Sequence, residues 1–145
     1  MNANPSSFRR YSPAVVMTLL IPVLSLLPAH FFKQVMQPLP AIPSMDKIVH
    51  ALMYAALTAA YLYALAPDRR SHLAAVLRID FLVALYGFVM EVCQKLFTNS
   101  RSMDPLDGLA NTVGALACAL TVWAWSRRVR VKHDVSSGSV QPFDL

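Results

Sequence analysis

Charge is scarce in this chain. Asp, Glu, Lys and Arg together make 14% of its 145 residues, against about a quarter in ordinary soluble domains. Cysteine is sparser still: the two, Cys93 and Cys118, show no metal-type spacing. Cys93 falls near the end of one apolar stretch. Cys118 falls about 16 Å along the next helix from Asp107, at about 1.5 Å per residue. A disulfide joining such different depths is not expected, and both cysteines read as small packing residues. Also missing are a zinc-binding helix motif, a Gly-rich phosphate loop and an internal repeat. Ser100 and Ser102 have no nucleophile elbow around them. Spacing therefore assigns no metal, and the cofactor stays open.

What remains is apolar. Hydrophobic residues make up 56% of the chain, and they gather into four stretches at roughly 13–31, 46–65, 75–97 and 106–125. Each holds about 20 residues, the length a helix needs to cross about 30 Å of hydrocarbon. Four such helices leave no polar face for a soluble bundle. The expected fold is all-α: a membrane bundle of four transmembrane helices, spanning 13–126 as one domain. Residues 1–12 form a polar lead, and 127–145 a basic, then Ser/Gly-rich tail expected to be disordered.

The net charge of +5 would suit nucleic acid, but its placement excludes that partner. Arg9 and Arg10 precede the first stretch, Arg69, Arg70 and Arg78 surround the second connection, and Arg127, Arg128, Arg130 and Lys132 follow the fourth. These share one side, while Lys33, Lys47, Lys95 and Arg101 fall on the other. The positive-inside rule places both termini in the cytoplasm, in a multi-pass protein of the plasma membrane. Arg9 and Arg10 also resemble the start of a secretory signal peptide. Large residues and Pro28 crowd the candidate cleavage point, so a retained first helix is expected. Pro22 should bend that helix, and 37–43, with three prolines, should be extended.

Polar residues collect at the opposite, outward end. Asp46 and His50 are four apart and share a helical face, with Tyr54 a turn below. Asp46 also suits a helix N-cap. Glu91 and Gln94 are three apart near the end of the third stretch. Burial of Glu91 there asks for a neutral form or a cationic partner, with His50, Lys95 and Arg101 available. Asp104 fits an N-cap, with Pro105 at the first helical position. Asp107 and Asn111 then share one face. Three acids with His, Gln and Asn leave a metal site and an acid/base pair open. Arg78 and Asp80, at the other end, read as snorkelling. Ala51, Ala55 and Ala59, and Ala110, Gly114 and Cys118, recur every four positions and allow close helix approach.

Asp46-Lys-Ile-Val-His50, then Tyr86-Gly-Phe-Val-Met-Glu91-Val-Cys-Gln94, then the run from Arg101 to Gly114 together resemble the VanZ-like family of small bacterial membrane proteins. The resemblance covers Asp46 to Gly114 and keeps the motifs in order. It implies a cell-envelope role in the bacterial inner membrane, the founding member being linked to low-level teicoplanin resistance. The expected site takes Glu91, Asp107 and His50 as acid/base or hydrogen-bonding groups, with Asp46, Gln94, Asp104 and Asn111 around them. Arg101 would hold an anionic headgroup. The partners this implies are the lipid bilayer and a lipid-linked envelope precursor or an envelope enzyme. A non-enzymatic scaffold and a small transporter are the competing readings.

Overall fold

The computed structural model describes residues 5–26, 44–98 and 104–136, with the side chains of 5–8 left aside. They form four α-helices and no strand: α1 (Pro5–Leu26), α2 (Met45–Ala64), α3 (Leu73–Phe97) and α4 (Pro105–Ser136), with a 3-10 turn at Asp68–Ser71. Arg101, the 37–43 segment, Ser100, Ser102 and residues 137–145 lie outside the described residues.

Local chemistry explains most boundaries. Asp104 Oδ1 accepts the Leu106 amide at 2.9 Å, so Asp104 is the cap and Pro105 the first helical residue, where its missing N–H is harmless. α2 starts differently. Ser44 precedes it with φ of 61° and makes no side-chain cap bond. Asp46 therefore sits in the first turn rather than at the cap. After Ala64 the chain turns extended at Leu65, ahead of Pro67, which disfavours helix at Ala66. Thr98 closes α3 by donating both its amide and its hydroxyl to the Gln94 carbonyl, at 3.0 and 2.7 Å.

Two elements are longer than the sequence pattern implies. α1 already begins at Pro5 and runs without interruption through Pro13 and Pro22. α4 continues to Ser136, so the basic stretch expected to be a disordered tail is helical. No glycine or proline follows Gly114 until Gly138, and Arg130 ties that extension down by donating to Ser71 Oγ at 2.7 Å. The same bond sets the basic stretch of α4 beside the connection bearing Arg69 and Arg70.

α2 and α3 form the middle of the bundle, with α1 and α4 each packed on both, and α2 against α4 is the most extensive pairing. Gly114 is the point of closest approach: a Cβ there would strike the carbonyl group of Ala51 and lie 2.7 Å from its Cα. The small-residue rows thus meet at Ala51 and Gly114, whereas Ala59, at the far end of one row, is exposed. Gly87 makes a second recess, admitting the Tyr54 ring, whose Cε1 would be 2.9 Å from an added Cβ. Ile21, Tyr54, Leu57, Val83, Met90 and Ala115 form the main core, and Leu62, Val76 and Ala119 a smaller one.

The outer surface is apolar. Leu19, Leu52, Phe81 and Trp125 are 65–70% exposed, one on each helix. α3 and α4 are long and apolar enough to cross a membrane. α2 is diluted by Lys47, His50, Tyr54, Tyr61 and Tyr63. Cys93 and Cys118 are both free thiols, in line with their different depths.

Candidate functional site

The starts of α2 and α4 and the end of α3 come together at one end of the bundle, so α2 and α4 run parallel and α3 runs opposite. Three pairs read from the sequence as sharing helical faces therefore converge in space. His50, Glu91, Gln94 and Asn111 are all buried there, and Asp46, Asp104 and Asp107 form a rim above them.

In the buried layer, His50 Nδ1 lies 3.1 Å from Asn111 Oδ1 and 4.0 Å from Glu91 Oε1. Asn111 Nδ2 donates to the same Glu91 oxygen at 3.5 Å. With the ring proton on Nδ1, one polarity runs through the set: imidazole N–H to amide oxygen, amide N–H to carboxylate. Of the cationic partners considered for Glu91, among the described residues His50 is the one brought to it; Lys95 is exposed. The other Glu91 oxygen, Oε2, and Gln94 Nε2 are buried with no hydrogen-bond partner among the described residues. Tyr54 lies beneath His50, buried and tilted at 47° to Tyr86.

The rim is organised by a residue that the sequence reading did not select. Lys47 Nζ donates to Asp104 Oδ2 and Asp107 Oδ1, each at 2.9 Å, and to Asp46 Oδ2 at 3.2 Å. Three donors meet three carboxylates, so the ammonium is saturated. The Lys47 ammonium, together with the Leu106 amide, holds the Asp104 carboxyl below its ordinary range. A signal existed in the sequence: Lys47 stands three residues before His50, one helical turn away and on the same side. A lysine beside an aspartate at a helix start is usually a solvated pair, so sequence alone assigns Lys47 to the outward side without a place in the site.

Exposure grades across the rim. The Asp46 side chain is 63% exposed, Asp104 37% and Asp107 15%. Asp107 is thus the acid closest in character to the buried layer. His50, Glu91 and Asp107 each present one nitrogen or oxygen within 4.8 Å of the others. Such a trio can exchange protons, bind a polar headgroup or hold a cation. At the other end, Arg78 is exposed, but Asp80 Oδ1 is buried and without a partner among the described residues, so snorkelling describes the arginine alone.

Comparison with protein-family models, with curated proteins and with solved structures found no match.

Proposed function

We propose that the chain is a four-span, VanZ-like protein of the bacterial inner membrane, with both termini cytoplasmic. Its polar end faces outward and binds or acts on a lipid-linked component of the cell envelope. The observation that carries this reading is the burial of His50, Glu91 and Asn111 together at one end of a bundle whose exterior is apolar. Polar groups at membrane depth are costly, and those retained there commonly serve function. The apolar exterior supports the membrane setting, since soluble monomers rarely expose contiguous apolar patches beyond a few hundred Å². The bond from Arg130 to Ser71 gathers basic residues at the opposite end, which supports the orientation by the positive-inside rule.

In this reading His50, Glu91 and Asp107 are the acid/base or hydrogen-bonding groups, Lys47 fixes the rim acids, and Arg101 meets an anionic headgroup. Glycopeptide susceptibility is one readout of the role. The test is complementation by Glu91→Gln and Asp107→Asn proteins matched to wild-type abundance. Loss of the envelope phenotype with normal abundance is expected; full retention of every phenotype would sink the proposal.

A scaffold role is the second reading, favoured by the fact that the His50, Asn111 and Glu91 contacts join α2, α3 and α4. There the same substitutions lower the amount of folded protein instead of leaving a stable, inactive one.

A further inference from the structure

We propose that His50, Glu91 and Asp107 bind a divalent transition-metal ion at the polar end of the bundle. The inference rests on reading that end as the functional site, and adds its cofactor. No sequence motif announces it, because the three ligands come from three helices, α2, α3 and α4.

Geometry is the first argument. The three ligand atoms lie within 4.8 Å of one another. Bonds of about 2.0–2.2 Å to nitrogen and oxygen place neighbouring ligand atoms about 3.0–3.5 Å apart, so modest side-chain movement closes the set. Within the trio, His50 Nδ1 lies 4.0 Å from Glu91 Oε1, and Asn111 Oδ1 stands 3.1 Å from the same nitrogen. With an ion on Nδ1, the ring proton resides on Nε2, and Asn111 Oδ1 changes from hydrogen-bond acceptor to fourth donor.

The second argument is independent of proximity. Glu91 is only 2% exposed, yet its Oε2 has no partner among the described residues. A buried carboxylate oxygen without a donor is strongly unfavourable and asks for a proton or a cation. Lys47 does not supply it, since three rim carboxylates take its donors. A metal held between His50 and Asp107 does, provided that Glu91 chelates it through both oxygens, since Oε1 is the one set toward His50.

Charge balance agrees. Asp46, Asp104, Asp107 and Glu91 stand against the one ammonium that the described ion pairs bring to them. An anionic headgroup approaching this end would meet net repulsion from those side chains. A divalent ion reverses that and offers the headgroup a direct ligand. The donor set decides the class. One imidazole with carboxylate and amide oxygens suits Zn²⁺ or Mn²⁺, whereas Mg²⁺ and Ca²⁺ prefer oxygen alone.

The experiment strips the purified full chain with a chelator and titrates it with Zn²⁺ by calorimetry, with Co²⁺ absorption reporting the ligands. Asp107→Asn, at the partly exposed rim, and His50→Gln are compared with His72→Ala at the opposite end, all checked by thermal melting. One Zn²⁺ per chain is expected, at least about tenfold weaker in Asp107→Asn and His50→Gln, unchanged in His72→Ala, with a nitrogen/oxygen Co²⁺ spectrum. Absence of stoichiometric uptake by folded wild type overturns the proposal, as does wild-type affinity in a folded Asp107→Asn protein. Retention of a polyprenyl phosphate in nanodiscs is measured beside it. Lipid kept without metal removes the metal alone; metal bound without lipid removes the lipid reading alone.

Discussion

Asp104 shows how much one side chain does at the polar end. Its Oδ1 caps α4 through the Leu106 amide, while its Oδ2 accepts from Lys47 at 2.9 Å. Asparagine caps helices about as well as aspartate, so Asp104→Asn removes the ion pair and spares the cap. The Asp104 carboxyl is held below its ordinary 3.8, first by the Lys47 hydrogen bond and then by the Leu106 amide. A depressed carboxyl contributes its stability fully above the unfolded value and loses it as pH falls through the folded one. Wild type should therefore melt above Asp104→Asn at neutral pH, with the gap closing in strongly acid solution. A gap indifferent to pH in thermal melts would show that the Lys47 pair contributes nothing. Lys47 itself was hidden in the sequence because its chemistry appears only when α4 supplies Asp104 and Asp107. The capping role of Asp104 was readable, since a cap and its Pro105 are neighbours in sequence.

At the scale of helices, the crossing of α2 and α4 depends on Gly114. Alanine in a helix interior is favoured over glycine by about 1 kcal/mol, but overpacking costs about 1–3 kcal/mol. Here the obstructing atoms are the backbone of Ala51, which cannot swing aside as a flexible side chain can. Overpacking wins. Gly114→Ala should destabilise the protein by up to about 2 kcal/mol net or force α2 and α4 apart, seen as a lower melting temperature in detergent. An unchanged or raised melting temperature contradicts the crossing. The small-residue rows were legible as a four-residue period, yet that period could not say which step meets the partner: Ala51 does, and Ala59 is exposed. α4 exceeds the length expected from the sequence for a related reason. Basic composition after Trp125 looks like a solvated tail, but without a helix breaker before Gly138, and with Arg130 bonded to Ser71, the helix continues to Ser136. Convergence of Asp46/His50, Glu91/Gln94 and Asp107/Asn111 was legible because antiparallel connection alone brings those ends together. How closely the atoms of His50, Glu91 and Asp107 approach one another was not, since that needs the rotation of each helix about its axis.

At the scale of the whole molecule, an apolar exterior is set against a polar end. Large apolar side chains are exposed on all four helices, while among the described residues four of the six buried polar side chains, His50, Glu91, Gln94 and Asn111, concentrate at one end. A bundle built only for stability gains little from Glu91, because a buried carboxylate carries a desolvation penalty that a neutral amide avoids. That asymmetry favours a ligand at Glu91 over a purely structural role. Native mass spectrometry of the detergent-extracted protein beside a folded Glu91→Gln variant tests this most directly. The account predicts a bound lipid or metal on the wild type that is missing from the variant. No ligand on either protein, with the variant markedly less stable, would contradict it and leave the polar end as a structural tie between helices.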